Sequence, residues 1–538
     1  MAIETFMSLA RGAGHLPMPI PTNGRRFGNR AMGTFPYDAA GRGRRGIGWH
    51  PTQLGQNTLL YSHGLELLAR NRDAVRNSAW AAAAVDAYVG NAIGNGIRLV
   101  PQHPEERVRD LILKKWNRWI KESDIEYDPA NPCSGQTDFY GQQMIMAREV
   151  MEAGEVFVRF RPRPYREGLT VPIQLQLIEA EQLPLWRMSQ QQVPQDNRVR
   201  SGIEFQPDGR RAAYHFWKAH PGETMFFPLE ALTVERVPAT DVLHVYKPIR
   251  AGQFRGQPWL TSVLAKLYEL EQYTDAEIVR KKISAMITGF IKQISPENPV
   301  MVPDEEQANV TPAPGSQISK LEPGTFPVLN PGEEIQFAEV RDSGDYKSFV
   351  RACLQAFASG AGMAEYQISG DLSGINYSSI RAGLLEFRRK CEQFQHAVFI
   401  YQVCHPIYRR WLREGMLALV FGADLLTAYD QDPEPFEAVE WVTPGWPWVD
   451  PEKDIKAAER AIRDGLSARS IECAQQGYDS RVIDQLQQAD NKRADAAGLS
   501  YDSDGRKVLT GKNAGLTEED ITAQAEAEQA DKVEGKFE

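Results

Sequence analysis

A glycine-containing loop that runs directly into a long amphipathic helix constrains the fold more than any other stretch. The loop spans Gly370 to Asn376. Asn376, Ser378 and Ser379 are candidate N-caps, because their side chains can accept hydrogen bonds from the free amides of a first helical turn. The apolar positions that follow recur every three or four residues, as one face of a helix does. They are Ile380, Leu384, Phe387, Cys391, Phe394 and Val398. A long helix with a loop at its head is a mechanical element more readily than a catalytic one.

Between residues 155 and 246 the hydrophobic pattern changes to a period of two, which predicts β-strands. Pro207, Asp208 and Gly209 lie between two of these runs and form a hairpin-turn signal. Together with the helical patterns around them, the strands predict an α+β fold with an antiparallel sheet set on helices. The predicted strands are 155–161, 173–178, 202–205, 212–217 and 241–246.

Helical periodicity covers most of the remaining chain. Pro406 should kink the long helix or end its first part, because its ring clashes with the carbonyl four residues back. Eight prolines between 296 and 331 exclude long helices there, and short apolar runs predict small strands at 325–329 and 334–337. Residues 441–450, rich in Trp and Pro, predict a rigid connector. The predicted helices are 59–93, 108–120, 139–150, 258–287, 345–360, 379–414, 454–465 and 467–491.

The net charge of −10 is unevenly distributed. Residues 1–50 carry seven arginines against two acids, whereas residues 517–538 carry eight acids against two lysines. The body between them is mildly acidic. This argues against a protein that grips DNA over a broad surface, because such a grip needs clustered lysines and arginines. A mildly acidic body is compatible with a conduit along which DNA slides.

The two ends of the chain have compositions unlike the rest. Residues 1–55 are rich in Gly, Pro and Arg, which is typical of a flexible tail or of a basic arm that docks on a neighbouring subunit or an acidic partner. The polar, acidic residues 501–538 predict disorder. Five scattered cysteines without a C-x-x-C pattern predict free thiols in a reducing compartment. Without a signal-peptide pattern or a run of about 18 apolar residues, we expect a soluble protein with no membrane role.

Motifs for catalysis, cofactors and metals are missing from the sequence. The segment 505–513 departs from a phosphate-binding loop in its spacing and ends in Asn where Ser or Thr is needed. Cys404 and His405 are adjacent in a predicted helix and point in different directions, so they make a poor dyad. His215 and His244 lie on predicted strands without a second metal ligand at typical spacing, which favours hydrogen-bonded sheet residues. We therefore predict no catalytic residues, no metal site and no cofactor.

Three blocks of sequence carry a family resemblance by their order and spacing. The first is Gly-Asp-Leu-Ser-x-x-Asn-Tyr-Ser-Ser-x-Arg-Ala-x-Leu-Leu-Glu, from Gly370. The second runs from Phe254 to Leu260 and is followed by a helix with Tyr273, Asp275, Ala276, Glu277, Arg280 and Lys281. The third is Trp441-x-x-Pro-Gly-x-Pro-Trp-x-Asp-Pro. Together, over roughly residues 55 to 500, they resemble the lambda-like family of tailed-bacteriophage portal proteins.

The resemblance implies a portal-type fold with long stem and tunnel-loop helices, an antiparallel β-containing wing, a small clip module and a helical C-terminal crown. The implied parts are a basic arm at 1–55, the wing at 56–257, the stem helix at 258–287, the clip at 288–340, the returning stem helix at 341–363, the tunnel loop at 364–378, a long kinked helix with the wing return at 379–440, the crown at 441–500 and the acidic tail at 501–538.

The resemblance also implies a function without chemistry. A ring of copies, a dodecamer in the family, would form a channel for double-stranded DNA at one capsid vertex of the virion, after assembly in the host cytoplasm. The implied partners are the terminase large subunit, the major capsid or scaffolding protein, and the head-tail connector. Two alternatives remain open: a virion-associated hydrolase such as a capsid maturation protease, and a structural adaptor that forms no channel.

Seven residues are candidates for contact with DNA or capsid. In the tunnel loop they would touch phosphates without sequence preference. An ordinary helix-loop-helix connection remains the alternative for this loop. At the end of the stem helix the cations would approach DNA or the capsid, or would only complement the helix dipole. The loop candidates are Gln367, Ser373, Asn376 and Arg381, and the stem candidates are Arg280, Lys281 and Lys282.

Overall fold

Helices and antiparallel strands together build the chain, as the change in hydrophobic period predicts. The computed structural model describes residues 51–185, 193–194, 196–228, 233–285, 289–293, 333–337, 345–373, 376–446, 450–499 and 501. Most of the predicted arm, most of the clip and nearly all of the tail lie outside the described residues. Within the described part of the chain, no helix is both long enough and apolar enough to span a membrane.

Four helices open the described chain and surround its main core. Ser78 separates the first two, where the sequence predicts one helical region. Trp116 and Trp119 are fully buried, and the Trp116 ring meets Trp411 edge-on with centroids 5.0 Å apart. This aromatic cluster joins helices distant in sequence, so it ties the two ends of the core together. The helices are α1 (Gln56–Asn77), α2 (Ala79–Ala92), α3 (Glu106–Trp119) and α4 (Phe139–Glu152).

Seven strands form the two larger antiparallel sheets. One sheet has the order β3-β2-β8 and the other the order β4-β5-β6-β7. Phe157 of the first contacts Phe216 of the second with ring centroids 5.1 Å apart, within a second hydrophobic cluster. The Gln206 amide donates to the Arg210 carbonyl at 2.8 Å, which confirms the predicted hairpin turn. The strands are β2 (Glu155–Pro162), β3 (Ile173–Ile178), β4 (Arg198–Arg200), β5 (Ile203–Phe205), β6 (Arg211–Trp217), β7 (Val234–Pro238) and β8 (Val242–Tyr246).

A small third sheet was not predicted. It pairs β1 (Arg98–Pro101) with β11 (Val439–Val442), antiparallel, with Leu99 opposite Trp441. The prediction of a connector beginning at Trp441 is therefore wrong at its first two residues. Four-residue strands offer too few alternating positions to be read from sequence, and their pairing depends on the surrounding tertiary structure.

Two helices flank residues 286–344. The predicted helix from residue 258 begins later, because a 3₁₀ turn at Trp259–Ser262 comes first and Val263, with φ −118°, interrupts the helical geometry. Helix α5 then spans Leu264–Ala285 and α6 spans Tyr346–Ala361. Between them β9 (Gly289–Gln293) pairs antiparallel with β10 (Glu333–Phe337), which confirms the predicted strand at 334–337. The predicted strand at 325–329 lies outside the described residues.

The long helix after the loop changes geometry along its length. An α-helical part is followed by ten residues of π-helix, then by α-helix again, and Pro406 is the second residue of that last part. The predicted break therefore occurs as a change of hydrogen-bond spacing just before the proline. The elements are α7 (Glu365–Ser369), α8 (Tyr377–Phe394), the π segment (Gln395–Cys404), α9 (His405–Leu417), α10 (Ala423–Gln431) and α11 (Glu434–Glu437).

Three helices end the described chain: α12 (Pro451–Arg463), α13 (Arg469–Gln475) and α14 (Ser480–Ala497). The prediction of one helix over 467–491 is wrong, because Gly477 adopts φ +82° and separates α13 from α14. Asp450 and Asp479 cap α12 and α14 by accepting hydrogen bonds from backbone amides of the first turn. Among described residues 450–499, Ala494 alone is buried.

Candidate functional site

The predicted tunnel loop, residues 364–378, begins just after α6 ends and contains the short helix α7. Gly362 adopts φ +78° and its amide donates to the Ser359 carbonyl, while the Met363 amide donates to the Ala358 carbonyl at 2.9 Å. This is the Schellman ending, in which the residue after the glycine usually makes a hydrophobic contact. Met363 does so, because only 7% of its surface is exposed. The near side of the loop is therefore fixed to the core.

Local hydrogen bonds shape the loop itself. The Asp371 amide donates to Ser369 Oγ at 3.1 Å, and the Ser373 amide donates to Asp371 Oδ1 at 2.8 Å. Hydrogen bonds from Ser373 lower the pKa of the Asp371 carboxyl. Leu372 is exposed. Each of these hydrogen bonds joins residues two positions apart, so local contacts define the turns of the described loop.

Each of the four predicted loop residues has a defined place. Gln367 lies on α7, where its Oε1 accepts the Ala364 amide at 2.9 Å. Asn376 is the N-cap of α8, with Oδ1 accepting the Ser379 amide at 2.8 Å, so the structure selects it from the three candidate caps. Contact of these residues with DNA stays a prediction.

Ser373 and Arg381 are placed differently from each other. Ser373 is exposed in the loop. Arg381, one turn into α8, donates to Asp454 of α12 at 3.0 Å. Arg381 is thus already paired with a carboxylate of the C-terminal helices. Within the described part of the loop, the groups left for a polyanion are hydroxyls and backbone amides.

Helix α8 is buried progressively along its length. The predicted apolar face is correct: Ile380 and Leu384 are half-buried near the loop, whereas Phe387, Cys391 and Phe394 are buried further on. Two hydrogen bonds fix the middle of the helix. They run from Tyr88 Oη to the Lys390 carbonyl and from Lys390 Nζ to the Gly362 carbonyl, each 3.2 Å long.

The π segment fastens the helix to two other elements. Gln395 Nε2 donates to the Ala92 carbonyl at 2.7 Å. Gln402 pairs with the backbone of Tyr246 on β8, accepting its amide at 3.0 Å and donating to its carbonyl at 3.1 Å. An amide side chain thus continues the sheet where a neighbouring strand would lie. Since π turns are rare and concentrate at functional places, we regard this segment as part of the site.

Cys404 and His405 do not form a nucleophile and base. Cys404 is fully buried, and burial raises the pKa of its thiol. His405 Nδ1 lies 3.3 Å from Trp441 Nε1, which can only donate. The reactive form of a cysteine is the thiolate, so a thiol held protonated in the core is a structural group.

The three predicted cations at the end of α5 are not equivalent. Arg280 forms an ion pair with Glu277, whose side chain is nearly buried. Lys281 and Lys282 are exposed on the last described turns. Contact of these cations with DNA or the capsid stays a prediction.

Sequence reasoning missed a buried carboxylate at the start of β2. Glu155 on β2 accepts Arg255 Nε at 2.6 Å, the Gly256 amide at 2.6 Å and His244 Nε2 at 2.8 Å. Arg255 and Gly256 belong to the second resemblance block. Gly256 is required there because a Cβ atom would lie 2.1 Å from the Gly154 carbonyl oxygen. The block marks this place, but no spacing signal links it to a partner one hundred residues earlier.

Opposed effects set the protonation of this cluster. Burial alone would raise the pKa of Glu155, but Arg255 and His244 outweigh it and lower that pKa to about 2. Burial lowers the pKa of His244 to about 4 despite the nearby carboxylate. Arg211 faces His244 Nδ1 at 3.3 Å and can only donate, so the neutral imidazole carries its proton on Nε2.

The second strand histidine is paired in the same way. His215 Nε2 lies 3.1 Å from the fully buried Glu204, which also accepts two hydrogen bonds from Arg236. Both histidines are thus bonded to carboxylates within the sheets. These contacts link strands within the two larger sheets.

One group of the described residues has metal-binding geometry: Glu179, Glu181 and His220. Arg72 already donates to both oxygens of Glu181, at 2.5 and 2.9 Å. A guanidinium on the carboxylate disfavours a cation there by like-charge repulsion. We therefore assign no metal to this group.

Comparisons with known proteins agree with the sequence blocks. The chain matches a family described as "Phage portal protein, lambda family" over residues 42–395. The "Probable portal protein" of Halomonas phage phiHAP-1 is 26% identical over 419 residues, covering 75% of this chain and 76% of that protein. "Portal protein B" of Escherichia phage lambda is 23% identical over 484 residues, covering 84% of this chain and 88% of that protein.

Solved structures give a more distant likeness. A chain in the neck of a native GTA particle, computed with C12 symmetry, aligns with a TM-score of 0.37 at 12% identity, covering 77% of this chain and 93% of that one. A TM-score this low supports no inference about fold or assembly.

Proposed function

Because the chain belongs to the lambda family of phage portal proteins, we propose that it forms a ring-shaped channel at one capsid vertex. Twelve copies surround the channel, and double-stranded DNA enters through it during packaging and leaves through it at ejection. The family match carries this proposal, since it spans the loop and all of α8. The protein acts by geometry and not by catalysis.

The parts of the chain take their roles from the family. Residues 56–257 form the wing, and 258–287 with 341–363 form the stem. Residues 288–340 form the clip, which docks the terminase large subunit during packaging and the head-tail connector afterwards. The loop at 364–378 faces the channel on its supporting helix, 379–440, and residues 441–500 form the crown. Scaffolding or major capsid protein contacts the ring during assembly in the host cytoplasm.

The geometry of the loop suits contact with moving DNA. Its base is fixed by the buried Met363 and by the core-bound far half of α8. Its tip offers Ser373 while Arg381 is neutralised by Asp454. Phosphate binding strengthens with each cation that displaces counterions, so a loop without a free cation grips DNA weakly. Weak contact lets the duplex slide in either direction.

The ring is tested by the native mass of the purified protein together with electron micrographs. We expect a particle close to twelve times the 60.5 kDa chain mass, with a central hole. A protein that stays monomeric or dimeric with its capsid partners present would contradict the channel and favour the adaptor.

The role of the loop is tested by deleting residues 370–375. We expect particles that package less DNA or fail to retain it. A Gly/Ser replacement of the same length keeps the spacing between α7 and α8 and serves as the control for chain length. Normal packaging by the deletion variant would contradict a loop function.

A further inference from the structure

Helices α12 to α14 present apolar side chains that the described part of the chain does not cover. Ile455, Ile471, Val482 and Leu486 are all exposed, and Ile455 lies two turns from Ile462 on the same face of α12. Exposed apolar residues are ordinary when scattered, but here they belong to a segment with almost no core. A segment that buries so little cannot offset the entropy of ordering its own chain.

The C-terminal ends of α12, α13 and α14 each expose an apolar residue that normally makes a hydrophobic contact. Each of the three helices has a Schellman ending, in which the residue after the glycine donates its amide five residues back at 2.9 Å. That residue is apolar in every case, as the hydrophobic contact of the motif requires. Yet the exposed fraction is 83% for Leu466, 57% for Tyr478 and 54% for Leu499. The local sequence thus provides three apolar anchors, and the described chain leaves each of them in solvent.

Two polar contacts and one close backbone approach connect these helices to distant parts of the described chain. At the turn between α13 and α14, a Cβ atom on Gly477 would lie 2.7 Å from the Gly445 amide nitrogen. Asp454 of α12 meets Arg381 on α8. Arg481 of α14 donates to the Pro101 carbonyl and to Gln102 Oε1, at 3.4 and 3.2 Å. Partly exposed ion pairs and hydrogen bonds of this kind contribute about 1 kcal/mol or less. They orient the segment on its protomer without burying its apolar side chains.

The charge of residues 451–499 indicates which kind of partner can cover their exposed apolar side chains. Residues 451–499 carry nine acids and eight basic residues. A nearly balanced surface does not attract DNA, which binds clustered cations. It can instead face an identical surface without net repulsion. Because a ring brings the same segment of every copy next to its neighbour, a second copy satisfies both the apolar and the charge requirement.

We propose that the apolar surface of α12–α14 packs on the α12–α14 segment of the adjacent copy, so that these helices gain their core only on assembly. This inference rests on the proposed ring and adds the surface through which neighbouring copies complete each other. The contact is heterologous, since neighbours in a ring are related by rotation about the channel axis.

Hydrogen exchange of the full chain tests the inference, comparing assembled rings with separated protomers of the same protein. The amides of α12–α14 should exchange at least about tenfold more slowly in the ring, because burial suppresses local opening. Leu486→Asp should abolish this protection. Gln488→Asp adds the same charge on another side of the same helix and should leave the protection intact.

The outcomes separate this inference from the ring itself. Equal exchange of α12–α14 in rings and protomers would overturn it, and so would protection that appears only after capsid protein or DNA is added. Equal protection in both variants would also overturn it. Since Leu486 is already exposed in one copy, the circular dichroism of separated protomers should not change. Wild-type protein that forms no ring in the native-mass measurement would overturn the channel proposal, and this inference with it.

Discussion

The region 346–417 and the region 451–499 use the same local signals with opposite results. Both have capped helix starts and Schellman helix ends. In the first, Met363 is buried and α8 runs into the main core. In the second, the equivalent Leu466 is almost fully exposed. Local sequence therefore decides where helices begin and end, whereas burial depends on which surfaces lie nearby. One region is complete in a single copy and the other awaits a second copy.

The largest expected difference between the regions is in their apolar side chains. Trp411→Ala removes a fully buried side chain that meets Trp116 edge-on and stacks on Tyr408, and should lower the free energy of unfolding by about 3–5 kcal/mol. Leu486→Ala on α14 should change the stability of separated protomers by less than about 0.5 kcal/mol. Denaturant unfolding measures the stability of both variants. Similar losses of unfolding free energy would contradict the difference between the two regions.

Breaking an ion pair should also cost more stability where the pair is buried than where it is half-exposed. Glu155→Ala leaves Arg255 buried without its carboxylate, which should cost about 3–5 kcal/mol. Asp484→Ala breaks the half-exposed pair with Arg469 and should cost less than about 1 kcal/mol. Thermal unfolding of the two variants tests this ranking, and a larger loss from Asp484→Ala would contradict it.

The buried cluster also predicts acid sensitivity. The pKa of His244 falls from its ordinary 6.5 to about 4, so below pH 6.5 the unfolded chain binds a proton that the folded chain refuses. Folding stability is therefore lost between about pH 6.5 and 4. The pKa of Glu155, lowered to about 2, extends the loss below pH 4.5 in the same direction. His244→Gln should remove the upper part of this dependence in unfolding curves measured from pH 7 to 4. An unchanged slope would contradict the assignment.

The smallest expected effect lies at the head of α8. Asn376→Ala removes the N-cap and should cost about 1 kcal/mol, with faster amide exchange confined to the first turn. Asn376→Asp keeps an acceptor at the cap and should preserve stability. Loss in both variants would mean that Asn376 acts through something other than its cap.

Sequence reasoning predicted the parts of the structure that have local causes. Asn376 was among three candidate caps, the apolar face of α8 follows its spacing, and the Pro207–Gly209 turn joins the expected strands. It missed β1 and β11, which pair across most of the chain, and the Glu155–Arg255 pair, whose members are one hundred residues apart. For the π segment, the sequence predicts only a break near Pro406. Its hydrogen bonds from Gln402 to Tyr246 depend on the position of β8, which the local sequence does not indicate. Contacts between residues far apart in the chain produce no periodic pattern in a single sequence, so they cannot be predicted from it.

The most direct test of the channel account asks what the loop touches when DNA is inside the particle. A photo-crosslinking residue placed at Ser373, exposed in the loop, should attach to DNA in filled heads. The same residue at Asp208, exposed in the hairpin turn between β5 and β6, should not. Adducts at position 373 alone are the result we predict. No adduct at 373 in heads that package normally, or equal adducts at both positions, would contradict the placement of this loop against the DNA.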